Sequence, residues 1–248
     1  MSGQGNYPDL DKRGLAFDSF KMPLYFIFII FLIHFVQVFT PLDFKSLGIF
    51  PRRIEGLWGV FLAPLIHADF AHLMSNSVPF MVLGTIIFHF YRSIAAQTYL
   101  LIHILTGLAV WILGRSVFHI GASGVVYGMV AFIFFTGIFR RNVRSIVLAL
   151  IVTFLYSGMF LGVLPNQEGI SWESHLLGGI VGIFAAYLFR DTFEKEEQQD
   201  VFATEEEGSS QFFLPRDTFN LTKEEKKRAQ LPEFPDWFTS KTWDKPEN

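Results

Sequence analysis

The side chains able to do chemistry in this chain stand where apolar stretches begin: His67, His72 and Asn76 in HADFAHLMSN, Ser123 in GASG, and His175 in WESHLLGG. A serine hydroxyl is too weakly acidic to attack a carbonyl unaided, so it needs a base, and His175 is the side chain suited to that part. His72 and Asn76 are four apart and project from one face of a helix, two hydrogen-bond donors aimed the same way. Ser123 lies near a helix start, where unpaired backbone N–H groups and the positive end of the helix dipole favour developing negative charge. A nucleophile, a base and convergent donors are the parts of an acyl-transfer site with an oxyanion hole.

Such a site needs elements that bring distant residues to one depth. Six stretches approach the roughly 20 apolar residues that span a bilayer: 22–40, 70–91, 95–113, 121–139, 145–164 and 172–189. The first is long and follows polar residues without a small-residue cleavage site, so it reads as a span rather than a removed signal. Flanking charges orient the bundle. With the N-terminus in the cytoplasm that side collects Lys12, Arg13, Lys21, Arg92, Arg140, Arg141, Arg144, Arg190 and Lys195, against Lys45, Arg52, Arg53 and Arg115 outside. Spans two, four and six then all begin at the outer face, with Ser123 about 3 Å below its helix start at 1.5 Å per residue. Gly124 and Gly128, and likewise Gly178 and Gly182, are four apart, a small-xxx-small pattern that permits close helix approach. Tyr127, one turn below Ser123, is placed to pack beneath the His175 ring.

Composition agrees with a membrane location. Of 248 residues 51% are apolar and 17% charged, 30 are phenylalanine, and the mean hydropathy is +0.36. Cysteine is absent, which excludes disulfides, thiolate metal sites and cysteine nucleophiles. No basic face is dense enough for nucleic acid. The expected organisation is a cytoplasmic segment at 1–21, a six-helix core at 22–190 with an interfacial first loop at 41–69, and a cytoplasmic tail at 191–248, flexible or weakly docked. The tail is too short and too poor in apolar periodicity to fold into a catalytic domain.

GASG followed by Tyr127, HADFAHLMSN, and SHLLGGIVG together resemble the rhomboid intramembrane serine proteases. That family carries His-x3-Asn on the second span, Gly-x-Ser-Gly on the fourth, and a histidine three residues before glycine on the sixth. The resemblance implies an all-α membrane protein with a six-transmembrane-helix rhomboid-like bundle. It also implies Ser123 as nucleophile, His175 as base and acid, and His72, Asn76 and the Ser123 N–H as oxyanion donors. His67 and the glycines 121, 124, 128, 178 and 182 would support the site. Substrates would be single-span transmembrane proteins met in the lipid bilayer, with no metal or organic cofactor required. A bacterial inner membrane with both termini cytoplasmic is the expected setting. One departure stands out: the family's first loop commonly reads Trp-Arg, where this chain has Trp58-Gly59. Without that arginine the anchoring of the loop needs another source.

Other readings compete. Ser123 alone is most simply a serine that helps helices pack, and Tyr127 can be a packing residue. His72 and Asn76 can form an interhelical pair. A metal shared by His67, His72 and His175 is disfavoured, because HExxH is absent and the first two histidines are five apart. A transporter would show charges or broken helices at mid-membrane. A catalytically silent rhomboid-like scaffold that binds transmembrane helices is the non-enzymatic alternative. Glu173, two residues from His175, points away on a helix and is a poor third triad member. His34, His89, His103 and His119 are assigned no chemistry, as residues accommodated by the interface or neighbouring helices.

Overall fold

The computed structural model describes residues 12–165 and 171–192, so the expected behaviour of the tail lies outside the described residues. Among the described residues seven α-helices follow in order: α1 (Lys12–Phe39), α2 (Gly59–Leu62), α3 (Phe70–Phe90), α4 (Ala95–Leu113), α5 (Ser123–Arg140), α6 (Val143–Tyr156) and α7 (Trp172–Leu188). Among the described residues there is no strand, only the single bridge between Ile49 and His119. Four helical stretches among the described residues are long and apolar enough to cross a membrane: Asp18–Phe39, Phe70–Phe90, Ala95–Leu113 and Ser123–Arg140. This is an all-helical membrane protein. α6 and α7, at 14 and 17 residues, are shorter than these four.

Boundaries shift where local chemistry demands it. α1 starts at Lys12, ten residues ahead of the apolar stretch. α5 starts at Ser123 itself rather than at Gly121, because Gly121 adopts φ +100°, outside helical space, and its amide is held by the Ala63 carbonyl at 2.9 Å. α6 stops at Tyr156 and tightens into a 3-10 segment, Ser157–Val163, whose Gly158 and Gly162 are poor helix formers. Asp69 caps α3 by accepting from the His72 amide at 2.8 Å, and Asn142 caps α6 through the Ser145 amide at 2.7 Å.

α5 is the hub, packed against α3, α4, α6 and α7. The core runs through Ile30, Phe80, Leu83, Ile87, Met129 and Phe132, all fully buried. Phe26 stacks on Phe80 with centroids 4.1 Å apart, and Tyr99 meets Phe80 edge-on at 6.0 Å. Apolar side chains such as Phe28 and Phe35 on α1 and Leu150 and Phe154 on α6 face outward, an arrangement suited to hydrocarbon surroundings. At the far end from Ser123, the Arg140 guanidinium donates to the Phe189 carbonyl at 3.1 Å and to that of Thr192, and lies 5.1 Å over the Tyr91 ring.

The first loop is anchored without the missing arginine. A Cβ at Gly59 would collide with the backbone of Gly48 and Ile49, so only glycine lets these strands of loop meet. The anchoring cation is Arg52, which donates to the α4-end carbonyls of Ile112 at 3.2 Å and Gly114 at 2.8 Å, and to Ser116 Oγ at 2.9 Å. Its backbone sits at φ +59°, a strained conformation for a residue with a Cβ. Trp111 Nε1 donates to the Arg53 carbonyl at 2.9 Å, and Phe50 packs edge-on to Phe118 at 4.9 Å. Loop 41–69 and the 114–122 loop are therefore joined.

Candidate active site

Ser123 and His175 meet directly, although 52 positions separate them: the Ser123 hydroxyl donates to His175 Nε2 at 2.8 Å. The direction follows from the other ring nitrogen. His175 Nδ1 lies 2.8 Å from the Gly162 carbonyl, which can only accept, so Nδ1 carries the proton and Nε2 offers its lone pair. That is the tautomer a general base requires. His175 is buried and Ser123 half-buried.

Tyr127 stacks on the imidazole, with centroids 4.1 Å apart and planes 8° from parallel. Its hydroxyl donates to the Met159 carbonyl at 2.6 Å. Both stacked rings thus end on carbonyls of the 3-10 segment after α6. Below them an apolar cavity of about 260 Å³ opens between α5, α6 and α7, lined by Val130, Phe134, Val152, Ile180 and Ile183 among others.

The glycine pairs explain the close approach. A Cβ at Gly178 would run into the Gly124 carbonyl, and one at Gly182 into the Gly128 carbonyl, so the two backbones touch along a seam. Gly128 also admits the Ile102 side chain of α4.

His72 and Asn76 converge on the turn before Ser123. A Cβ at Gly121 would lie 2.6 Å from His72 Nε2 and 3.6 Å from Asn76 Nδ2, so both donors border the same space. Asn76 spends one N–H on the His72 carbonyl of its own helix at 3.0 Å and keeps a second. Ser123 is the first residue of α5, so its amide has no intrahelical acceptor. His67 is fully buried and meets the His72 ring edge-on at 5.1 Å. Burial, with His72 and His34 beside it, holds the His67 imidazole well below the ordinary histidine range, at about 3.

Glu173 turns away from His175, and its carboxylate pairs with Arg115 Nε at 2.6 Å. Among the described residues no group of three or more His, Cys, Asp or Glu side chains is disposed to hold a metal. His89 meets Ser19 Oγ at 3.2 Å and His103 meets Tyr99 at 3.3 Å, contacts with neighbouring helices or turns. His119 differs: it is buried in the 114–122 loop and bonded to Ser171 at the head of α7. Sequence reasoning passed over it and over the Gly162 carbonyl. The spacing His119-x-Gly121-x-Ser123 was the available signal for the first; a main-chain acceptor leaves none.

The chain is 37% identical over 174 residues to an uncharacterized protein of Mycobacterium tuberculosis, covering 66% of this chain and 72% of that one. It is 28% identical over 180 residues to a putative rhomboid protein of Acanthamoeba polyphaga mimivirus, covering 66% and 91%. Against mouse rhomboid-related protein 2 it is 29% identical over 168 residues, covering 60% of this chain and 54% of the relative. Residues 55–192, which include every residue of the Ser123 and His175 surroundings, match the Rhomboid domain, and the chain belongs to the rhomboid family.

Proposed function

We propose that the chain is an intramembrane serine protease that cleaves single-span membrane proteins near their outer end. The observation that carries the reading is the 2.8 Å hydrogen bond from Ser123 to a His175 whose tautomer is set by the Gly162 carbonyl. Ser123 Oγ attacks the scissile carbonyl carbon while its proton passes to His175 Nε2. The carbonyl oxygen gains the charge, and the His72 and Asn76 side chains with the Ser123 amide receive it. As the tetrahedral adduct collapses the C–N bond breaks, and His175 delivers the proton to the leaving amine. Water, deprotonated by His175 in turn, then hydrolyses the acyl-enzyme. Six spans with both termini cytoplasmic accompany this reading, α6 with its 3-10 continuation and α7 serving as the fifth and sixth. Mycobacterial relatives support a bacterial membrane.

The test is covalent labelling by a fluorophosphonate, followed by cleavage of a transmembrane substrate in liposomes. Wild type takes the label, and Ser123→Ala and His175→Ala do not. A wild type that neither labels nor cleaves is the behaviour of a helix-binding scaffold and defeats the protease reading.

A further inference from the structure

His119 joins the loop that carries Ser123 to the helix that carries His175. Its Nε2 lies 3.0 Å from the Arg115 carbonyl, so Nε2 holds the ring proton and donates there. Nδ1 is then an acceptor, and the Ser171 hydroxyl donates to it at 2.5 Å. With its proton so used, Ser171 Oγ accepts from the Ser174 hydroxyl at 2.6 Å. The result is a chain of bonds with one direction, from Ser174 through Ser171 and His119 to the Arg115 carbonyl.

Two members of this chain, Ser171 and Ser174, reach the backbone at or beside the catalytic pair. The Ser171 carbonyl accepts the His175 amide at 3.3 Å, the first backbone bond of α7. The Ser174 carbonyl lies against Gly124, next to the nucleophile, where a Cβ would be 3.1 Å from it. His119 is itself pinned, because its backbone exchanges two bonds of 2.9 Å with Ile49 of the first loop. Arg115 adds a second latch on the same turn through Glu173, a carboxylate buried from solvent. Residues 115 and 119 therefore grip positions 171, 173 and 174, just ahead of His175.

We infer that His119 is a positioning residue which, through Ser171 and Ser174, sets the distance between the serine nucleophile and its histidine base. The inference rests on the protease reading above. Closing the reacting pair to attack geometry is sensitive to displacements of an ångström or less, so loosening this link acts on the chemical step rather than on substrate capture. Neither His119 nor Ser171 meets the reacting atoms.

The experiment measures fluorophosphonate labelling rates of detergent-solubilised wild type, Ser171→Ala, Ser171→Thr and His119→Phe across probe concentration, beside their thermal midpoints. The expected result is a limiting rate about tenfold lower in Ser171→Ala and His119→Phe, with half-saturation within about twofold. Ser171→Thr, which restores a hydroxyl, recovers the rate. Wild-type rates in both variants, a Thr variant as slow as Ala, or rates that fall only with the folded fraction overturn the positioning role and leave the protease reading intact. A wild type that takes no label overturns both.

Discussion

The α5–α7 seam and the α6 arm hold the site in different ways. Along the seam, glycines 124, 128, 178 and 182 put backbone on backbone, and neither helix can shift without collision. α6 packs against α5 and its own 3-10 continuation, while Ile146, Val147, Leu150, Ile151, Phe154 and Leu155 face outward. Between the two lies the apolar cavity. Ser123 and His175 sit on the seam, whereas the carbonyls of Met159 and Gly162 that receive Tyr127 and His175 belong to the arm. Reach between Ser123 and His175 is thus a property of the rigid half. The protonation pattern of the His175 ring depends on the other half.

Breaking the seam has the largest expected effect. Gly178→Leu drives a side chain into the Gly124 carbonyl, and fluorophosphonate labelling should fall at least about 1000-fold, while Gly179→Ala, which points into open space, stays within about twofold. If both variants label alike, the seam does not set the spacing. Removing a proposed oxyanion donor comes next: Asn76→Ala should lower kcat for substrate cleavage about 100-fold with KM little changed. The arm is probed by Tyr127→Phe, which keeps the stacked ring and deletes the hydrogen bond to Met159. A loss near 1 kcal/mol, read as a labelling rate about fivefold lower, would show that the arm's hold on the rings matters. An unchanged rate would assign that hold to Gly162 alone.

The smallest effect concerns acid. In the folded chain His67 resists protonation down to about 3, against an ordinary value of 6.5, so the unfolded chain binds the proton more readily. Stability linked to the neutral ring is complete above the unfolded value and is lost as pH falls from about 6.5 toward 3. The thermal midpoint in detergent should decline by a few degrees between about pH 7 and pH 4.5, and His67→Gln should flatten that decline. Because His67 lies in the first loop against the His72 ring of α3, labelling at neutral pH in this variant separates the stability of that region from the chemistry.

The meeting of Ser123 with His175 was readable because its determinants are side-chain types at fixed spacing. Polar residues are expensive in apolar stretches, so the few present stand out, and glycines four apart announce where backbones touch. His72 with Asn76 was legible for the same reason, a four-residue step on one helical face. Other features escaped because they are not written in that code. The Gly162 carbonyl is main chain and has no residue signature. Arg52 replaced the expected loop arginine from a different position, with a left-handed backbone that only the fold around it can impose. His119 looked like any histidine beside a helix until Ser171, 52 positions on, came into range. Span ends at α5 and α6 moved because glycines, through the left-handed φ of Gly121 and the low helix propensity of Gly158 and Gly162, decide there where helices begin and stop.

The Gly162 acceptor has a genetic corollary. Every amino acid has a carbonyl, so no missense change can delete this group as asparagine in place of aspartate would disarm a triad. Substitutions at 162 act instead through bulk, since a Cβ there meets the Tyr127 hydroxyl and comes within 3.2 Å of His175 Nδ1. Inheritable loss of the His175 orientation in this lineage must therefore arise by dislodging a stretch of backbone, and selection will register it as steric intolerance at a small residue.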